Sequence, residues 1–107
     1  MTLAQLRYLL AIVDANLNIT TAARRVNATQ PGLSKQLKLL EEKLGLQIFV
    51  RRGKRLESIS PTGALVVERA RALLSEAASI HALAADHRRS HEVEPTSRRG
   101  PFFIKAE

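Results

Sequence analysis

Residues 29–45 read Thr29-Gln30-Pro31-Gly32-Leu33-Ser34-Lys35-Gln36-Leu37-Lys38-Leu39-Leu40-Glu41-Glu42-Lys43-Leu44-Gly45, and most of the architecture follows from them. Thr29 offers a capping hydroxyl, and Pro31 falls in the first turn, where its missing N–H costs nothing. Gly45 takes a left-handed C-terminal cap without steric cost. A helix over residues 30–44 results. Projected at about 100° per residue, Leu33, Leu37, Leu40 and Leu44 share one narrow arc, and Pro31, Ser34, Lys35, Lys38 and Glu42 share the opposite one. The leucines face a core, which leaves a basic, hydroxyl-bearing face outward on the N-terminal half, with Thr29 and Gln30 at its start. A recognition helix meets base edges in the major groove from these positions. Gln30 presents donor and acceptor together to an adenine edge, and Thr29 or Ser34 serves a base or a phosphate. Lys35 and Lys38 reach guanine acceptors or phosphates. Two lysines on one face are also what any solvated helix shows, so the neighbouring segments decide between the readings.

On the N-terminal side, Leu3, Leu6, Leu9, Leu10 and Val13 recur at spacings of three and four and predict a helix over residues 3–15. The pattern stops at Asn16-Leu17-Asn18. Thr20 then reads as the cap of a short helix over residues 21–27, whose apolar positions are Ala22, Ala23 and Val26. The small pair Ala22-Ala23 allows close packing on the following helix across a short turn, as a helix-turn-helix demands. Arg24 and Arg25 on this helix suit backbone phosphates or plain surface charge equally.

On the C-terminal side, Ile48-Phe49-Val50 and Leu56-Glu57-Ser58-Ile59 read as two short strands around the basic turn Arg51-Arg52-Gly53-Lys54-Arg55. This is the shape of a β-hairpin wing. Arg51, Arg52 and Lys54 are its candidate DNA contacts, against phosphates or in the minor groove, with Arg55 a weaker one. The competing role for such charges is to blunt edge-to-edge strand pairing. Ser60-Pro61 repeats the cap-then-proline signal, and no breaker follows until about Arg89 apart from Gly63 in the first turn. A helix of roughly 28 residues, about 40 Å, is too long for so small a domain to pack throughout. It carries Val66, Ala70, Leu73, Ala77, Ile80 and Ala84 at alternating spacings of four and three, a heptad seam through which two copies can pack. The first turns, with Leu65 and Val66, also reach the winged domain, and beyond about residue 74 a partner helix is the expected cover. The fold class is therefore mainly α: a winged helix-turn-helix of three helices plus a hairpin over residues 1–60, then a long dimerisation helix over 61–89. Residues 90–107, with Pro95, Gly100 and Pro101 and no sustained period, read as an irregular or disordered tail.

Charge agrees with a polyanionic partner. Of 107 residues, 17 are Lys or Arg and 10 Asp or Glu, for a net charge of +7. Residues 1–60 carry ten basic and four acidic side chains, whereas residues 91–107 carry three of each, so the positive field belongs to the N-terminal part. There is no cysteine, and His81, His87 and His91 form no metal-site pattern. Neither a disulfide framework nor a metal or cofactor site is expected. No run approaches the length of a membrane span and no signal peptide is visible, so a cytoplasmic location is expected. No HExxH, GxxxxGK or GxSxG occurs, and no nucleophile sits beside a base, which argues against an enzyme. Glu41 and Glu42 point about 100° apart on their helix and make no natural acid/base pair.

The series Leu3-Ala4-Gln5-Leu6-Arg7-Tyr8-Leu9, Thr21-Ala22-Ala23, Thr29-Gln30-Pro31-Gly32-Leu33-Ser34-Lys35-Gln36-Leu37, Leu40-Glu41-Glu42-Lys43-Leu44-Gly45-Leu46-Gln47-Ile48-Phe49 and Ser60-Pro61-Thr62-Gly63 resembles the N-terminal domain of LysR-type transcriptional regulators. The likeness covers about residues 2–88 without a gap. Gln5-Leu6-Arg7-Tyr8, Asn16-Leu17-Asn18 and Arg51-Arg52-Gly53-Lys54 look closest to the subgroup controlling cysteine biosynthesis and sulfur assimilation. The resemblance implies a winged helix-turn-helix dimerised through its linker helix. It implies recognition at Thr29, Gln30, Pro31, Ser34, Lys35 and Lys38, with the wing at Arg51 and Arg52. The expected partner is operator DNA bound by a homodimer, and heterodimers with related regulators are open to the same seam. Family members continue into a large effector-binding domain, whereas this chain passes from His87 into a dissimilar tail. No effector site is therefore expected in it, and it reads either as a fragment or as a shortened gene product. In the second case it could act as an interaction module that pairs with a full-length relative.

Overall fold

The computed structural model describes residues 1–92. Its elements run α1 (Leu3–Asp14), α2 (Ile19–Arg25), α3 (Gln30–Leu44), β1 (Phe49–Arg52), β2 (Arg55–Ile59) and α4 (Pro61–Glu92). The chain divides into two units, Met1–Leu74 and a second that begins at Ser75. In the first unit, three helices and a two-stranded antiparallel hairpin enclose one core, the winged helix-turn-helix that the sequence predicts.

Helix α1 opens with a reciprocal cap: the Thr2 hydroxyl accepts from the Gln5 N–H at 3.0 Å, and the Thr2 N–H donates to the Gln5 side-chain oxygen at 3.1 Å. It buries Leu6, Leu9 and Ile12. The chain then reverses through Asn16 and Leu17, both left-handed at φ 60° and 66°. This turn moves the start of α2 two residues ahead of the expected position. Asn18, not Thr20, is the cap, its side-chain oxygen accepting from the Thr21 N–H at 2.9 Å. Thr20 lies inside the first turn, where its hydroxyl donates to Oε1 of Gln30 at 3.2 Å. The helix ends at Arg25 because Asn27 turns left-handed at φ 56°.

Helix α3 keeps its predicted bounds. The Thr29 hydroxyl accepts from the Gly32 N–H at 3.0 Å, and Gly45 closes the helix at φ 71°. Leu33, Leu37 and Leu40 are buried as expected, and so is Glu41. The strands sit lower in the hairpin than the sequence pattern placed them: Arg51, Arg52 and Arg55 belong to the ladder, and only Gly53 and Lys54 make the turn. Arg51 pairs with Leu56 and Arg52 with Arg55, after a bulge between Val50 and Arg51. Strand alternation therefore turns Arg51 toward the buried side that Leu56 occupies and Arg52 away from it.

Ser60 caps α4, its hydroxyl accepting from the Gly63 N–H at 2.9 Å and donating to the Gln47 carbonyl at 2.7 Å. Gly63, Val67 and Ala70 are buried on the core, with Val66 and Leu74 packed beside them. Two members of the expected dimer seam lie on this inward face. Ala70, 2% exposed, already fills the chain's own core, and Val66 lies against it. The inward stripe of these turns follows 63, 67, 70 and 74, so Leu65 and Leu73 are the large apolar side chains left outside. In the second unit Ile80 and Leu83 are 67% and 71% exposed, Ala84 is exposed and Ala77 is half-buried. Helix α4 also takes Ser90 to Glu92 from the expected tail. The remainder of that tail, residues 93–107, lies outside the described residues.

Two predictions follow from the way α4 is seated. A Cβ on Gly63 would lie 2.1 Å from the Ile48 carbonyl oxygen and 2.8 Å from its Cα, which only a backbone shift relieves. Gly63→Ala should cost about 1–3 kcal/mol in a denaturant unfolding curve. The second concerns Arg71, which donates to both Asp14 oxygens, at 2.6 and 3.5 Å. That hydrogen bond and the charge of Arg71 hold the Asp14 carboxyl below its ordinary value. A depressed carboxyl contributes stability at neutral pH that is lost as pH falls through the folded value. Both side chains are about half exposed, so Asp14→Asn should cost less than about 1 kcal/mol at pH 7. The gap to the parent chain should close below about pH 4, as measured by paired unfolding curves.

Candidate nucleic-acid interface

The N-terminal half of α3 stands out from the core because its leucines tie down the other side. Thr29, Gln30, Pro31, Lys35 and Lys38 are exposed, and Ser34 is half-buried. Each of the expected reading residues is therefore on the surface, although two already have an internal partner. Thr29 uses an oxygen lone pair on the Gly32 N–H, and Gln30 accepts from Thr20 through Oε1. The second bond leaves the Gln30 NH₂ as the free end of the amide. It also braces the first turn of α3 against the first turn of α2, a contact the sequence pattern missed.

Ser34, Lys38 and Glu42 of α3 line a groove with Arg51 and Lys54 of the wing. The structure thus brings four of the nine predicted DNA-contact residues, Ser34, Lys38, Arg51 and Lys54, onto one concave surface. Arg52, on the opposite strand face, is not part of that lining. Its side chain is exposed, as is that of Lys54 at the tip.

Arg51 has a different local environment from the one its place in a basic run suggested. Its Nη2 donates to Glu41 Oε1 at 2.8 Å, and its side chain is 34% exposed. The other carboxylate oxygen, Oε2, accepts the Ile48 N–H at 2.8 Å and the Phe49 N–H at 3.3 Å. Glu41, 7% exposed, is the buried charged side chain among the described residues. Three hydrogen bonds, two from backbone amides and one from a guanidinium, satisfy it, the condition under which a carboxylate tolerates burial. The signal was present but faint. Glu41 lies at the margin of the leucine arc, and Arg51 shares strand phase with the buried Phe49.

The described residues contain no helix long and apolar enough to cross a membrane, and bring together no group of three or more His, Cys, Asp or Glu able to hold a metal ion.

A short helix packed across a second helix, with a basic hairpin at that helix's flank, defines a winged helix-turn-helix protein. Residues 3–64, more than half of the chain, match the model of the bacterial regulatory helix-turn-helix proteins of the lysR family, and the chain belongs to that family. It is 48% identical over 89 residues to the HTH-type transcriptional regulator CysB of Haemophilus influenzae, an alignment covering 83% of this chain and 28% of that protein. The chain therefore spans less than a third of that relative's length. The likeness to cysteine-biosynthesis regulators read from the sequence is borne out by this relative. Among solved structures, the BenM_DBD/catB site 1 DNA complex superposes with a TM-score of 0.76 at 34% identity, covering 85% of this chain and 96% of that one. The CbnR_DBD-DNA complex gives 0.70 at 29%, covering 86% and 99%.

Proposed function

We propose that this chain binds duplex DNA sequence-specifically as a dimer, in the manner of a LysR-type transcriptional regulator. The observation that carries the reading is the first half of α3, where Gln30, Lys35 and Lys38 are exposed and where Ser34 and Lys38 line one groove with the wing residue Lys54. Gln30 is the base-reading side chain, and Lys35 and Lys38 supply phosphate or guanine contacts. Lys54 and Arg52 supply phosphate contacts from the wing. The two DNA complexes with which the fold superposes support this reading.

Dimerisation rests on α4. The outer members of the sequence seam, Leu73, Ile80 and Ala84 with the half-buried Ala77, together with Leu83, leave apolar side chains that the described residues do not fully cover. Two recognition helices then meet successive major grooves about one helical turn apart. The exposed Ile80 and Leu83 equally favour a second reading, in which this helix pairs with a longer member of the family and alters that protein's hold on DNA. Mixing the chain with an intact relative separates the two, because heterodimers are expected only in the second.

The testing experiment is selection from a duplex library, with sedimentation on the same sample to count protomers. Paired half-sites bound by a dimer are the expected result, and sequence-blind binding by a monomer contradicts it. On a selected site, Gln30→Ala should reduce discrimination against random DNA by about 1–3 kcal/mol. Lys54→Ala should weaken both alike and lower the salt slope by about one unit. Ile80→Glu should shift sedimentation toward monomer and lower affinity for the paired site, with the fold of the first unit intact by circular dichroism.

A further inference from the structure

The groove between α3 and the wing holds a buried charge that the reading above does not use. Glu41 is anchored on both of its oxygens: Oε2 by two backbone amides of the segment entering β1, and Oε1 by Arg51. Arg51 in turn lines the groove beside Lys38 and Lys54. Only its Nη2 reaches Glu41, and its remaining N–H groups meet no other protein acceptor among the described residues. A guanidinium carries five N–H donors in a rigid fork. Holding one of them from behind therefore fixes the direction of the others. The pair cannot simply come apart on binding, because a departing Arg51 would strand the Glu41 carboxylate in the core without its charge partner.

We infer that Glu41 is a positioning residue for DNA binding, which orients Arg51 so that the free edge of its guanidinium receives one backbone phosphate in the groove flanked by Lys38 and Lys54. The inference rests on the DNA-binding reading above and adds to it the role of an acidic side chain. Phosphate accepts from a planar, bidentate donor better than from a freely rotating one, and pre-orientation lowers the ordering cost of the contact. Glu41 thus contributes to affinity for a polyanion while carrying the same sign of charge as the ligand.

That sign supplies the test. By charge alone, neutralising a carboxylate in a protein that binds DNA tightens binding. If Glu41 positions Arg51, the isosteric Glu41→Gln loosens it, because the amide offers one acceptor oxygen where the carboxylate offers two. The probe is a random-sequence 20-base-pair duplex titrated with the whole chain over a series of salt concentrations, on variants whose folding is verified by unfolding curves. Glu41→Gln is expected to raise Kd about five- to tenfold and to lower the salt slope by about one unit. Unchanged or tighter binding by folded Glu41→Gln overturns the inference. A second variant, Arg51→Lys, keeps the net charge and loses the fork. It is expected to bind several-fold more weakly, and parent-like affinity overturns the inference even if Glu41→Gln does not fold. Failure of the parent chain to bind the duplex at low salt removes the DNA reading itself, an outcome distinct from parent-like behaviour of the variants.

Discussion

The Glu41 carboxylate accepts the backbone amides of Ile48 and Phe49, and the placement of every later element of the first unit depends on where those amides are held. Ile48 and Phe49 are fully buried. The Ile48 carbonyl accepts the Ser60 N–H at 2.8 Å, and Gly63 packs directly on Ile48. One short stretch of extended chain thus receives the end of α3 on one side and the start of α4 on the other. A carboxylate suits this role better than an amide or a hydroxyl, because one oxygen can serve two N–H groups while the other binds a cation. The cost is the desolvation of a charge, which the three hydrogen bonds offset.

The consequence for function is mechanical. The wing has only two strands, and an isolated hairpin of that size is marginal in water. Its base is fixed by Phe49 and Leu56 in the core and by Arg51 on Glu41, whereas its tip at Gly53 and Lys54 is free of the core. The part of the wing nearest α3 is therefore rigid relative to the recognition helix, and the tip can adapt to a groove. At the other end of α3, Thr20 on α2 holds Gln30. Both ends of the candidate reading surface are braced by side chains from neighbouring elements.

Local signals carried most of the fold. The leucine arc of α3, the Gly45 cap and the Ser60-Pro61 start of α4 each depend on a few adjacent residues, and each stands where the sequence pattern put it. What escaped was set by contacts across the chain. Thr20 resembles a cap, but the left-handed turn at Asn16 and Leu17 gives that role to Asn18 and leaves Thr20 for Gln30. Arg51 resembles its neighbours in a basic run, and only the phase of β1 with Glu41 waiting ten residues back distinguishes it. Ala70 satisfies both a heptad seam and a core stripe, and periodicity alone cannot choose between two faces of one helix. The candidate reading residues of α3 were legible because they are the positions the leucines leave over.

The most direct test of the account is an amide NMR titration of the isotope-labelled chain with a duplex. Shifts concentrated from Thr29 to Lys38 and at the wing turn, Gly53 and Lys54, are the predicted result. Shifts confined to α1 or to α4, with the α3 and wing amides unmoved at saturation, would contradict the assignment of this face to DNA.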